Sequence, residues 1–201
     1  MSYEIIVSGG GIAGLAAAAA FGAEGRSVMC LDPTAPVTDR SADGADLRTT
    51  AFLQPAQAFL SEIGLWDRLA DHAMPLQVMR IADAGGETPD IRVTKAFDAS
   101  DISDLPFGWN LPNWLLRREF LAHLDSLDTV TFRPGISTTS LSTPEADAPV
   151  TLRDANNERR KSVIAADGRH SPTSTAAGLD AAHKRPGQKA LALAVPYATP
   201  T

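Results

Sequence analysis

A glycine-rich turn directly after a short apolar run constrains the fold of this chain more than any other feature. Residues 5–7 are Ile-Ile-Val, residues 9–14 are Gly-Gly-Gly-Ile-Ala-Gly, and an alanine-rich segment follows at once. In this context of strand, turn and helix, the spacing Gly-x-Gly-x-x-Gly is typical of a dinucleotide-binding βαβ unit. We therefore expect a strand, a tight turn and a helix that begins near Ile12.

Each glycine of the pattern has its own expected role. Gly9 allows the tight turn, Gly11 lets the backbone approach a pyrophosphate, and Gly14 lets the helix pack closely on the strand. The first turn of the helix, with Ile12 and Ala13, directs main-chain N–H groups and the positive end of the helix dipole toward the phosphates. These five residues form the predicted pyrophosphate site.

The sequence after the helix extends the same fingerprint. Gly25 stands where the helix should end, residues 26–31 form a second apolar run, and Asp32 follows 18 residues after Gly14. A carboxylate at this strand end can accept hydrogen bonds from an adenosine ribose, and it would repel a 2′-phosphate. The pocket therefore fits FAD or NAD better than NADP. An ordinary βαβ unit with an incidental glycine turn is the alternative.

The composition of the chain indicates which binding partners and which cellular compartment are expected. The net charge of −6 argues against a nucleic-acid-binding protein. The single cysteine, Cys30, lies in a predicted buried strand, so neither a disulfide framework nor a metal cluster is expected. The longest apolar stretch, residues 12–23, is too short to span a bilayer, and no signal peptide is evident. We expect a cytoplasmic protein, and contact with a membrane surface stays open.

Two further patterns predict sheet structure outside the glycine motif. Residues 76–83 alternate apolar with polar, which is typical of a half-buried strand, and residues 91–93 would pair with them in a hairpin. This hairpin would begin a second sheet. Residues 149–154 and 161–166 are expected to form another hairpin around Asn156 and Asn157.

Three segments together resemble the N-terminal half of the class A FAD-dependent aromatic monooxygenases, and most of all the ubiquinone-biosynthesis hydroxylases. The first is the glycine motif with Asp32. The second is Arg-Thr-Thr-Ala at residues 48–51, with Gly-Leu-Trp at residues 64–66. The third is Ile-Ala-Ala-Asp-Gly-Arg-His-Ser-Pro at residues 164–172, the pattern most characteristic of this group.

The resemblance implies an α/β fold: a Rossmann-like FAD-binding domain of the p-hydroxybenzoate hydroxylase type, with the beginning of an antiparallel substrate-domain sheet. Arg48 would contact the flavin side, although an exposed arginine that makes a helix-capping contact is an equal alternative from spacing alone. Asp167 with Gly168 would lie near the pyrophosphate. Because like charges repel, Asp167 is expected to order a ribityl hydroxyl, a water or a neighbouring N–H rather than a phosphate. The FAD-binding domain would comprise residues 1–74 and 107–182, and the partial substrate sheet residues 75–106 and 183–201.

The implied activity is hydroxylation of a small aromatic or prenylated aromatic substrate, related to ubiquinone precursors, through a flavin hydroperoxide. FAD would be the cofactor and NADPH or NADH the reductant. Peripheral association with the inner membrane or with a hydroxylase complex, and a homo-oligomer, are further expectations. No catalytic side chain and no metal ligand can be assigned.

The chain departs from the family pattern at several positions. Trp114 and Ser174 stand where family members often carry arginines. Arg117, one helical turn after Trp114, could substitute, although the pattern favours a solvated surface arginine. The second flavin motif of the family would come roughly a hundred residues after the Asp-Gly pair, and residues 178–183 only imitate it. We therefore expect a truncated N-terminal part that holds FAD weakly or not at all and is inactive alone.

Two other functions stay open at this point. A flavin-dependent reductase or halogenase on the same fold would share the glycine motif. A non-catalytic fragment or accessory protein without FAD could instead bind a partner through unpaired sheet edges.

Overall fold

The computed structural model describes residues 3–85, 90–141, 148–152, 157–160, 162–179, 182 and 187. The strands are β1 Ile5–Ser8, β2 Val28–Asp32, β3 Thr49–Leu53, β4 Met74–Pro75, β5 Val78–Ala84, β6 Ile91–Asp98, β7 Gly108–Pro112, β8 Val130–Pro134, β9 Thr138–Leu141, β10 Ala148–Leu152, β11 Asn157–Arg160 and β12 Ser162–Ala165. The α-helices are α1 Ile12–Ala23, α2 Gln54–Glu62, α3 Asn113–Asp125 and α4 Pro172–Ala176. The chain divides into two compact units, residues 1–48 with 113–201 and residues 49–112.

A four-stranded parallel sheet forms the centre of the first unit. Its strand order is β12–β1–β2–β8, and every neighbouring pair is parallel. The two central strands are almost fully buried, with Ile6, Val7, Met29 and Cys30 at 0 % exposure. Burial on both faces explains why these strands are continuous apolar runs rather than alternating ones. The predicted Rossmann-like α/β fold is confirmed.

Helix α1 follows β1 directly and ends as the sequence indicates. Gly25 adopts a left-handed φ of +78°. Its N–H donates to the Gly22 carbonyl oxygen at 3.0 Å, and the Arg26 N–H donates to the Phe21 carbonyl oxygen at 3.0 Å. This pair of bonds is a Schellman motif, which satisfies carbonyl groups that the helix end would leave unpaired. The chain can then turn back sharply into β2.

The second unit contains the predicted hairpin. Strands β5 and β6 pair antiparallel in a two-stranded sheet, and β3, β7 and β4 form a separate antiparallel sheet. The expectation of a half-buried β5 is wrong, because all seven of its residues are exposed. The apolar side chains that sequence alternation assigned to a core face are exposed here: Val78, Met79, Ile81, Ile91 and Val93.

The hairpin expected between residues 149–154 and 161–166 is also wrong. Strand β12 pairs with β1 in the parallel sheet, whereas β10 pairs antiparallel with β9 and β11. Local alternation cannot distinguish these arrangements, because the four residues of β12 are added to a sheet edge more than 150 positions away in sequence. Because β12 runs parallel to β1, Asp167 after β12 and the glycine turn after β1 lie at the same end of the sheet, beyond the carboxyl ends of the strands.

Some expectations concern residues outside the described part of the chain. These include His183 of the imitated flavin motif, and all but residue 187 of the substrate-sheet segment 183–201. The proposed functional division of the chain at residues 75 and 107 stays a prediction. Within the described residues, no helix is long and apolar enough to cross a membrane, and no group of three or more His, Cys, Asp or Glu is placed to hold a metal ion.

Candidate cofactor site

The glycine turn lies where β1 meets α1, and two of its glycines are required by close contacts. Gly9 has a φ of +113°, and a Cβ at this position would collide with the carbonyl group of Ala166. A Cβ at Gly14 would collide with the carbonyl oxygen of Gly9. These contacts hold the turn against α1 and against the segment after β12. Gly14 has the close packing that the sequence predicts, and the positive φ of Gly9 agrees with its predicted place in a tight turn.

Gly11 differs from its neighbours because its position is open. A Cβ built on Gly11 would meet no atom within 4 Å, and its φ of −71° suits any amino acid. The side of Gly11 on which a side chain would project therefore faces an open space that a ligand could occupy. The next two residues, Ile12 and Ala13, begin α1, and first-turn N–H groups have no partner within their own helix. This is the geometry of a pre-formed anion site.

Asp32 ends β2 with its carboxylate turned toward the glycine turn. Its Oδ2 accepts a hydrogen bond from the Gly10 N–H at 2.7 Å. Its Oδ1 accepts from the Thr34 N–H at 2.8 Å and from the Thr34 Oγ1 at 3.0 Å. Each carboxylate oxygen can accept more than one hydrogen bond, so the group is fixed in place and still able to bind a hydroxyl.

A cavity of about 400 Å³ opens at the carboxyl ends of β1, β2 and β12. It is lined by Ser8, Gly9, Gly11, Leu31, Asp32, Pro33, Ser137, Thr138, Ala166, Asp167, Gly168, His170 and Pro172. Ligands of open parallel sheets bind at this edge, outside the carboxyl ends of the strands. The structure therefore gathers Gly9, Gly11, Asp32 and the Asp-Gly pair around one space.

Asp167 is held by the start of α4. Its Oδ2 accepts the Thr173 N–H at 2.9 Å, whereas its Oδ1 is buried without a hydrogen-bond partner. Burial alone would raise the pKa of Asp167, but hydrogen bonds from Ser171 and Thr173 outweigh it, and the pKa lies below its ordinary value. The carboxylate is therefore charged at neutral pH, and one of its oxygens can accept a ligand hydroxyl or a water. A neighbouring N–H, one of the three expected partners, is confirmed.

Three buried hydroxyl groups stand behind the turn, and sequence reasoning did not identify them. The Thr138 Oγ1 donates to the Ser8 Oγ at 3.0 Å, and the Thr173 Oγ1 donates to the same oxygen at 3.3 Å. The three residues come from β1, β9 and α4, and they are 165 positions apart at the widest. No spacing pattern in the sequence signals such a cluster. It adds polar groups to the floor of the cavity at Ser8 and Thr138.

Arg117 reaches a smaller groove on the other side of the glycine turn. The groove has a volume of about 180 Å³ and is lined by Gly10, Gly11, Asp32, Thr34, Ala35, Pro36, Val37 and Arg117. Trp114 instead lies beside Arg118, whose guanidinium carbon is 5.3 Å from the Trp114 ring centre. The structure thus brings Arg117 to the glycine turn, as is required if Arg117 substitutes for the arginine that family members often carry where this chain has Trp114.

Arg48 does not line either of these spaces. Its guanidinium forms a bidentate ion pair with Asp46, with Nε to Oδ1 and Nη2 to Oδ2 both at 2.8 Å, and 70 % of its side chain is exposed. This pairing raises the pKa of Arg48 and holds the pKa of the Asp46 carboxyl well below its usual range. The contact of Arg48 with the flavin side stays a prediction.

Cys30 lies beneath the site as a core residue. Burial, reinforced by the negative charge of Asp32, raises the pKa of its thiol to about 12. Its Sγ is 3.8 Å from the Gly9 carbonyl oxygen. The thiol is therefore neutral, and it packs against the turn rather than serving as a ligand.

The residues present fit FAD on three structural grounds: the open position at Gly11, the fixed Asp32 carboxylate, and the unpartnered Asp167 Oδ1. This fold and cleft define a nucleotide-binding protein of the Rossmann-like class. A family described as the FAD binding domain matches residues 2–198. The chain belongs to this FAD-binding domain family, and its resemblance to the FAD-dependent monooxygenases and hydroxylases is confirmed.

Curated relatives support this family, and a solved structure shares the fold. The chain is 31% identical over 194 residues to the ubiquinone hydroxylase UbiL of Rhodospirillum rubrum, covering 96% of this chain and 44% of that protein. It is 26% identical over 177 residues to the 3-demethoxyubiquinol 3-hydroxylase of Escherichia coli, covering 88% and 44%. The crystal structure of the p-nitrophenol 4-monooxygenase PnpA from Pseudomonas putida DLL-E4 matches with a TM-score of 0.71 at 21% identity, covering 88% of this chain and 44% of that one. The chain thus spans less than half the length of each of these three proteins.

Proposed function

We propose that this chain supplies the FAD-binding part of an FAD-dependent, NAD(P)H-using hydroxylase that acts on an aromatic precursor of the ubiquinone type. The observation that carries the proposal is the cleft itself, where Gly11, Asp32 and Asp167 surround one cavity at the carboxyl ends of parallel strands. The ubiquinone hydroxylases among the relatives support the substrate class.

Each part of the site has a distinct proposed role. The open backbone at Gly11 and the first turn of α1 bind the diphosphate through N–H groups. Asp32, already fixed by Gly10 and Thr34, accepts hydrogen bonds from the adenosine ribose. Asp167 orients a hydroxyl through its unpartnered Oδ1. Arg117 adds a positive charge beside the turn, where it partly neutralises the diphosphate.

The bound FAD would supply the redox chemistry, with reduced nicotinamide as the electron source and O₂ as the oxygen source. The residues of this chain bind and orient that group, and none of them is assigned as a nucleophile or a general acid. We further propose a small aromatic or prenylated aromatic substrate. Peripheral membrane contact, association in a hydroxylase complex and a homo-oligomer remain proposals without a structural test.

The test uses the protein encoded by the complete reading frame, supplied with FAD, NADPH or NADH, a prenylated phenol and ¹⁸O₂. We expect one labelled oxygen atom in a hydroxylated product, identified by mass spectrometry. Consumption of reduced nicotinamide without labelled product would instead indicate a reductase. A halide-dependent product would indicate a halogenase, and no FAD-dependent turnover would support a non-catalytic role.

A further inference from the structure

We propose that Asp46 is a positioning residue for FAD binding, whose carboxylate holds the Arg117 side chain beside the glycine turn. The proposal rests on the proposed function, because it gives Arg117 a cofactor to bind. No sequence pattern marks Asp46, which precedes Arg48 by two positions in a turn-rich segment.

The Asp46 carboxylate is the centre of a four-residue cluster. Its Oδ1 accepts the Arg48 Nε at 2.8 Å and the Arg48 main-chain N–H at 3.2 Å. Its Oδ2 accepts the Arg48 Nη2 at 2.8 Å and the Asn113 Nδ2 at 3.0 Å, and it lies 3.7 Å from the Arg117 Nη2. Only 12 % of the Asp46 side chain is exposed, so its charge is poorly screened by solvent.

The same cluster fastens residues 46–48 to the start of α3. The Asn113 N–H donates to the Arg48 carbonyl oxygen at 2.9 Å. First-turn N–H groups have no partner inside the helix, so this bond satisfies one of them. Arg117 follows one turn later on α3, and 26 % of its side chain is exposed. Asp46 therefore contacts both the first residue of the helix that carries Arg117, through the Asn113 side chain, and the Arg117 guanidinium, at ion-pair distance.

The charge of Asp46 argues for positioning rather than direct binding. The residue does not line the cavity or the groove described above, and a carboxylate repels a diphosphate. A free arginine side chain loses much rotamer entropy when a ligand immobilises it. An arginine already held in place loses less, and binding gains accordingly. Asp46 thus orders the Arg117 side chain at the glycine turn before a ligand binds.

The direction in which one substitution changes FAD affinity distinguishes a positioning role of Asp46 from simple electrostatic repulsion of the ligand. Asp46→Asn removes a negative charge near an anionic ligand, so electrostatics alone would strengthen FAD binding. Positioning predicts the opposite, an affinity weaker by about tenfold. In an Arg117→Gln background the same substitution should have little further effect, because the positioned group is gone. Asp43→Asn, an exposed aspartate of the same segment, is the matched control and should leave the affinity unchanged.

The experiment titrates FAD into the protein encoded by the complete reading frame and into its variants, and it follows the flavin fluorescence. Weaker binding in Asp46→Asn, absent from the Arg117→Gln background, supports the proposal. Unchanged, stronger or additive effects overturn it and leave the proposed function standing. Absence of binding by every variant, the unsubstituted chain included, overturns both.

A second measurement reports on Arg117 without any cofactor. In ¹H–¹⁵N spectra, an ordered arginine gives a sharp, slowly exchanging Nε–H signal, and Arg117→Gln assigns the one from residue 117. Asp46→Asn should broaden this signal, and Asp46→Glu, which keeps the carboxylate, should largely restore both the signal and FAD affinity. An Arg117 signal that stays sharp in Asp46→Asn would overturn the proposal. Should Asp46→Asn not fold, failure of Asp46→Glu to retain FAD affinity would also overturn it.

Discussion

The Asp32 carboxylate accepts a hydrogen bond from the main-chain N–H of Gly10 at 2.7 Å. The residue expected to bind the ribose therefore also holds the glycine turn in shape. Its proposed role in ligand binding and its role as a structural support can be separated experimentally.

Replacing Asp32 with alanine should affect both roles. Each charge-assisted bond to the ribose that is lost should cost about 1.5–3 kcal/mol of FAD binding, and the loss of bonds to Gly10 and Thr34 should lower the free energy of unfolding by about 1–3 kcal/mol. Titration calorimetry and urea unfolding measure these separately. Asp32→Asn, which keeps one acceptor oxygen, should lose less stability than Asp32→Ala. Unchanged FAD affinity in both variants would contradict the assignment of Asp32.

The glycines of the turn should respond differently to the same added methyl group. Gly14→Ala places a Cβ against the Gly9 carbonyl oxygen, so we expect a loss of about 1–3 kcal/mol in the free energy of unfolding. Gly11→Ala meets open space at an ordinary φ, so its stability should stay within about 0.5 kcal/mol of the unsubstituted chain. Urea denaturation gives both values. Equal losses at the two positions would show that the turn has another conformation.

Cys30 should be inert to thiol reagents in the folded chain. Its thiol pKa of about 12 leaves almost no thiolate near neutral pH, and the side chain is fully buried. Reaction with a chromogenic disulfide at about pH 8 should therefore follow unfolding, with rapid labelling only in denaturant. Fast stoichiometric labelling of the native chain would contradict the buried position of β2.

Asp46 should stabilise the chain in a pH-dependent way. Its folded-state pKa lies below the unfolded value of about 3.9, so the charged form is favoured by folding. The contribution is complete above about pH 5. It is lost progressively as the pH falls from about 4 toward the lower folded-state pKa, because the carboxylate of the unfolded chain is protonated first. The stability difference between the unsubstituted chain and Asp46→Asn should therefore shrink on acidification in urea unfolding. A difference that grows at low pH would contradict the ion-pair cluster.

The local features of the site could be predicted from the sequence. The glycine spacing, the helix end at Gly25 and the strand that ends at Asp32 all depend on short-range stereochemistry, which residue types encode directly. The wrongly predicted hairpin shows the limit, because β12 pairs with β1 across the length of the chain. The Asp46 cluster and the buried hydroxyl groups of Ser8, Thr138 and Thr173 likewise depend on tertiary contacts. The exposure of β5 depends on which elements pack against it in the folded unit, and the alternation of its own residues does not determine that packing.

The most direct test of this account is the affinity of FAD for the unsubstituted chain and for Gly11→Val, measured by quenching of flavin fluorescence. The branched side chain would occupy the open space at the turn without disturbing the fold, which circular dichroism can verify. The account predicts saturable, though weak, FAD binding that Gly11→Val abolishes. Equal FAD affinity in the two folded proteins would contradict the placement of the diphosphate at the glycine turn.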